Sequence, residues 1–265
     1  MRLVAKRGVE VSAISVDSWG LDYVLMGEDG GQLSAPFCYR DARTDRVYSD
    51  VLREVGERDI YERTGIQFMS LNTLYQLVAE QRQEPQVRQR AKQFLMIGDW
   101  FHYQLCGRAA QEESNASTTQ LWDPRRRTWS EELIAATKML RDIFPEVVPP
   151  CTRLGTLSAD VRRETGLGEI AVVAGCVHDT GAAVAAVPAE GTGWAYLSSG
   201  TWSLIGVELR EPLITEAARA ANFTNETGIG GTSRFLRNAS GLWMLQECRR
   251  AWARAGSEFD YEELT

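Results

Sequence analysis

Long apolar runs are absent from this chain. None reaches the roughly 18 residues that a membrane-spanning helix needs, and Met1 leads into RLVAKRGVEV without the apolar stretch of a secretory signal. A cytosolic protein with no membrane partner is expected. Histidine is scarce, with only His102 and His178, so no histidine-built metal cluster can be assembled. The five cysteines, Cys38, Cys106, Cys151, Cys176 and Cys248, make no C-x-x-C pair. Reduced, mostly buried thiols are expected, and no metal site. Basic charge is also short: 29 Lys and Arg against 36 Asp and Glu leave a formal net charge of −7. RQRAK and PRRRTW are locally positive, but no uniformly basic stripe exists to attract nucleic acid. There is no repeat of fixed period and no low-complexity segment.

What is present suffices for a folded α/β protein. The 265 residues, 44% hydrophobic, can bury one large core or two smaller ones. VSAISVDSWG, LDYVLMGEDGG and APFCYR alternate β-favouring residues with turn chemistry at positions 27–31, which predicts a strand hairpin. Asn72 is placed to cap a helix over TLYQLVAEQRQ that Pro85 limits. PQVRQRAKQFLMIG predicts a helix ended by Gly98, and Asp99 is placed to cap WFHYQLCG, with Gly107 as its stop. A further helix is expected around EELIAATKML, and FPEVVPP reads as a connector. EIAVVAGC has the apolar content of a strand buried on both faces, followed by a tightly packed helix over TGAAVAAV. His178 and Asp179 then fall at the carboxyl end of that strand, where ligands sit in open α/β sheets. After Pro188, WAYLSSGTWSLIGVEL predicts two β runs of a second sheet. SRFLRNASGLWMLQECRRAWARAG predicts a strand and a helix with Leu242, Leu245 and Trp252 facing inwards.

Two stretches could carry chemistry. Asp179 reads equally as a helix cap, satisfying free N–H groups at the positive end of the dipole, or as a general base at a strand end. SSGT, ending at Thr201, has the small side chains and hydroxyls that let backbone N–H groups approach a phosphate, but a plain hairpin turn uses the same residues. Read from the residues alone, the chain is a two-layer α/β protein with a candidate acid–base site.

SVDSWGLDYVLM, YRDARTD, RDIYERTGIQFMSLNTLYQL, NASTTQLWD, HDTGAAV, AYLSSGTWSLIGVE, ANFTNE and NASGLWMLQE occur in one order over most of the chain. In that order and spacing the sequence resembles the FGGY family of carbohydrate kinases, and within it the branch acting on the ketose L-rhamnulose. The resemblance implies a ribonuclease H-like, actin-like fold of two domains around a cleft, here residues 1–187 and 188–265. It implies ATP-dependent phosphorylation of the ketose 1-hydroxyl, with magnesium. Asp179 matches the family's catalytic base, and Gly20, His178, Thr180 and Asn238 match its sugar contacts. Thr201 and Gln246 match its nucleotide contacts. Kinases for fuculose or xylulose, and a catalytically incomplete sugar-binding fragment, are the alternatives.

Family members begin with a phosphate-binding hairpin and continue into an adenine-binding segment, and neither is recognisable here. The expectation is a chain truncated at both ends, with little turnover alone and a sheet edge that a second chain could cover.

Overall fold

A computed structural model describes residues 1–191, 193–199 and 202–264. Strand β1 (Ala13–Ile14) runs parallel to β5 (Ala171–Ala174), and β4 (Thr152–Thr156) runs antiparallel to β5 on its other side. This three-stranded sheet buries Leu154, Leu157, Ile170, Val172, Ala174 and Val177 in one core. β2 (Tyr23–Met26) pairs antiparallel with β3 (Gln93–Met96). Tyr23, Leu25, Phe94 and Met96 enter a larger core with Val51, Ile60, Leu74, Trp122, Trp129 and Phe144. A separate four-stranded sheet follows, in the order β6 (Ala195–Ser199), β7 (Trp202–Leu209), β9 (Ser233–Ser240) and β8 (Thr224–Thr227), antiparallel throughout. β5 and β6 thus lie in different sheets.

Several expectations change. The chain does turn at residues 27–31, where the Gly27 N–H donates to the Gly31 carbonyl at 2.9 Å, but β1 and β2 are not a hairpin. β1 pairs across to β5, and the return arm beyond the turn makes only a Met26–Gln32 bridge. The helix expected over residues 85–98 splits into Pro85–Arg90 and β3. FLM is a short apolar run that periodicity alone cannot assign, and burial against β2 makes it a strand. Asp99 does not cap its helix: α2 (Ile97–Cys106) starts two residues earlier, so Asp99 lies inside its first turn, and Gly107 ends it at φ 77°. Asn72 precedes α1 (Thr73–Gln83), as expected, but its amide donates to the Gln67 carbonyl and Gln120 Oε1 instead of capping.

β5 is fully covered on one face only, with Val172 and Ala174 buried and Ala171 and Val173 half-buried. Of the cysteines, Cys38, Cys151 and Cys248 are exposed and only Cys176 is buried. The last helix, α5 (Trp243–Arg254), buries no residue; Leu242 and Trp252, expected to face inwards, are exposed and Leu245 is half-buried. No helix among the described residues is long and apolar enough to cross a membrane.

Candidate active site

Two backbone segments meet at the carboxyl ends of β1 and β5. The Ser18 N–H donates to the Val177 carbonyl at 2.7 Å and the Asp179 N–H donates to the Ser18 carbonyl at 2.8 Å. Beneath them lies α3 (Glu113–Ser117), preceded by Glu112. The Val177 N–H donates to Glu112 Oε2 at 3.0 Å, and the His178 N–H donates to Ser114 Oγ at 3.1 Å. The Val16 N–H donates to Nε2 of the buried His102 at 3.0 Å. Gly98 leaves room for this junction, since a Cβ there would stand 2.5 Å from Val177 Cγ1. Burial pushes the Glu112 carboxyl up to about 7, against the N–H and hydroxyl groups that favour its charge. Burial likewise raises Asp99, which accepts the Glu112 N–H at 3.0 Å.

The junction delivers His178, Asp179 and Thr180 to a cavity of about 390 Å³, within the usual size of small-molecule sites. Gly20, Asn238 and Glu226 line it with them, and Trp19, Leu21, Ile66, Met69 and Leu71 supply its apolar wall. Asp179 is the first residue of α4 (Asp179–Ala185). Its side chain is 51% exposed, and Oδ1 accepts the Thr180 N–H at 2.6 Å. It is not the cap residue, since His178 precedes the helix and no side chain caps it, but its carboxylate stands both at the start of a helix and on the cavity wall. At Gly20 a Cβ would stand 3.0 Å from Thr118 Oγ1, so a side chain there would crowd the wall. Asn238 is held by Gln67, whose Oε1 accepts from Asn238 N at 3.0 Å and from Nδ2 at 3.1 Å.

Gln246 lies apart, lining a different cavity with Arg249, Arg250, Phe259 and Tyr261. Thr201 falls outside the described residues. Among the described residues no group of three or more His, Cys, Asp or Glu could hold a metal ion.

Glu226, Arg234, Gln67 and Glu112 escaped sequence reading. All four residues of β8, Thr-Asn-Glu-Thr, are buried, yet a polar run of that kind reads as a loop. Arg234 is fully buried, its Nη2 donating to Glu226 Oε2 at 2.9 Å. Burial would raise the Glu226 carboxyl, but Arg234 and His178 outweigh it and hold it down to about 2.

Residues 5–186 match the N-terminal domain of the FGGY family of carbohydrate kinases, and residues 195–265 match its C-terminal domain. A rhamnulokinase from Bacteroides thetaiotaomicron is 42% identical over 100% of this chain and 54% of its own length. One from Pectobacterium carotovorum is 44% identical over 90% of this chain and 47% of its own. The solved structure of a xylulose kinase from Lactobacillus acidophilus, 17% identical, superposes with a TM-score of 0.83 over 94% of this chain and 50% of that one, a likeness of fold. This chain spans about half the length of the curated relatives it matches. The two family models, which between them match nearly the whole chain, place it in the FGGY family of carbohydrate kinases.

Proposed function

We propose that this chain carries the sugar site of a cytoplasmic kinase that transfers the γ-phosphate of ATP to the 1-hydroxyl of L-rhamnulose. The observation that carries the reading is the convergence, in one cavity, of Gly20, His178, Asp179, Thr180 and Asn238 from distant parts of the sequence. The likeness to rhamnulokinases supports the choice of ketose.

Phosphoryl transfer asks little covalent chemistry of a protein, so positioning and charge dominate. Asp179 takes the proton of the 1-hydroxyl as its oxygen forms the new bond to the γ-phosphorus. The β,γ-bridging bond breaks and ADP leaves with the electron pair. Gly20 admits the sugar backbone, and His178, Thr180 and Asn238 offer it hydrogen bonds. Magnesium, brought by the nucleotide, would neutralise phosphate charge. Thr201 and Gln246 belong to the nucleotide side of this reading, and the division of the chain near Pro188 to its architecture.

A coupled ATP-consumption assay over L-rhamnulose, L-fuculose and D-xylulose tests it. Ketose-stimulated consumption ranking rhamnulose first is expected, well below the roughly 1–100 per second of ordinary kinases. A fuculose or xylulose preference would reassign the substrate. ATP consumption that no ketose stimulates, together with no ketose binding, would remove the reading.

A further inference from the structure

Three amides at the cavity wall, those of Gln67, Asn72 and Asn238, have their orientations set by backbone groups, which cannot flip. The Asn238 N–H donates to Gln67 Oε1 at 3.0 Å, and Gln67 Nε2 donates to the Asn238 carbonyl at 3.3 Å. Gln67 therefore turns only an acceptor towards the Asn238 side chain, whose Nδ2 donates to it at 3.1 Å. That leaves Oδ1 as the atom Asn238 can offer the cavity it lines. Gln120 is fixed in the same way, since its Nε2 donates to the Ile66 carbonyl at 3.2 Å. Its Oε1 accepts one Asn72 Nδ2 hydrogen at 3.0 Å, and the Gln67 carbonyl accepts the other at 2.9 Å. Both donors of Asn72 are spent.

Its acceptor is not. Asn72 is fully buried and lines the cavity, yet Oδ1 meets no hydrogen-bond donor among the described residues. An asparagine before a helix ordinarily spends that oxygen on the first N–H groups, but Asn72 does not cap α1. The hydroxyl of Thr224, also buried and on the same cavity, is likewise without a partner. Buried polar atoms left unpaired cost free energy, so native structures keep few of them and those few ask for a partner. For Asn72 and Thr224 the cavity is the side from which a partner can come. The network is also held under strain: Gln120 sits at φ 61°, in the left-handed region, which a residue other than glycine keeps only where its surroundings impose it.

We propose that Asn72 is a further contact of the ketose and Gln67 a positioning residue: between them they set two carboxamide oxygens, Asn72 Oδ1 and Asn238 Oδ1, to accept from two sugar hydroxyls other than the one facing Asp179. Each sugar hydroxyl carries a hydrogen to donate, and a ligand lacking either one would leave a buried acceptor unpaired. The wall therefore selects for a polyhydroxylated acceptor by penalising deoxy analogues at those two positions. The identity of the ligand rests on the kinase reading, but the orientation of the amides does not.

The chain has five asparagines, Asn72, Asn115, Asn222, Asn225 and Asn238, so ¹³C,¹⁵N-asparagine labelling gives five side-chain amides to follow while L-rhamnulose is titrated in. At saturation the ¹³Cγ signals of Asn72 and Asn238 are both expected to move downfield, as carbonyls that gain a hydrogen bond do, with the other three amides unmoved. A shift at Asn238 without one at Asn72 would overturn the proposal and leave the kinase reading standing. Calorimetry that finds no binding of any ketose would overturn both. Gln67→Leu supplies the second measurement. Without sugar, the Asn238 amide is expected to lose its single orientation, read as averaged NH₂ signals and a lowered heteronuclear NOE, and the Kd for the ketose to rise about tenfold. A folded variant with an unchanged Asn238 amide and an unchanged Kd would remove the positioning role. If that variant does not fold, the titration of the unaltered chain decides the matter.

Discussion

At the scale of single residues the account turns on Asp179. Its side chain is half-exposed and takes only the adjacent Thr180 N–H from the helix start, so little of its acceptor capacity is spent on structure. Asp179→Asn keeps the shape and can still accept that N–H, but cannot take a proton. In an active kinase that contains this chain, it is expected to lower kcat by about 10² to 10⁴ while changing the sugar KM much less, which steady-state kinetics with rhamnulose will read. Unchanged turnover would reduce Asp179 to a helix-end charge. His178 and Asp179 were visible in the sequence because HDTG stands where an apolar run gives way to small residues. Glu226 and Arg234 were not. Their meaning comes from cross-strand register, Glu226 opposite Arg234 in β8 and β9, and register between polar strands leaves no hydrophobic pattern to read.

At the scale of elements, the strand–helix junctions that aim the site depend on close approach. α2 passes under both strand ends at Gly98, where a Cβ would also come within 3.2 Å of Ser18 Cβ. Gly98→Ala is therefore expected to cost about 1–3 kcal/mol by overpacking, despite the better helix propensity of alanine. Denaturant titration measures this, and a stabilised variant would show that the junction is looser than its geometry implies. The same element shows where sequence reading failed. The apolar FLM run before Gly98 reads as part of one helix from Pro85, while pairing with Tyr23–Met26 makes it a strand. Conversely, the hairpin of β6 and β7, the β5 strand and α4 were legible, because turn residues or small residues bound each apolar run. α5 kept its predicted helical form but not its predicted burial, since periodicity reports an apolar face without saying what covers it.

For the molecule as a whole, two buried carboxyls make stability depend on pH in opposite directions. Glu112, raised from 4.5 to about 7, binds its proton more tightly folded than unfolded. Stability is therefore lost as pH rises from about 4.5 to about 7, by about 3 kcal/mol for this group. Glu226, lowered from 4.5 to about 2, contributes stability that is present above 4.5 and lost as pH falls towards 2. Denaturation free energies across pH are expected to peak near the lower end of the first window, and Glu112→Gln is expected to flatten the decline above it. A decline of unchanged slope in that variant would remove Glu112 as its source. The central claim is that one cavity, bounded by Gly20 and Asn238 and served by Asp179, receives a ketose. The most direct measurement is calorimetric titration of L-rhamnulose into the chain and into Gly20→Val, whose side chain would enter the cavity against Thr118. The account predicts saturable, roughly millimolar binding by the unaltered chain and at least about a tenfold loss, some 1.4 kcal/mol, in the variant; no binding by the unaltered chain, or equal binding by the two, would contradict it.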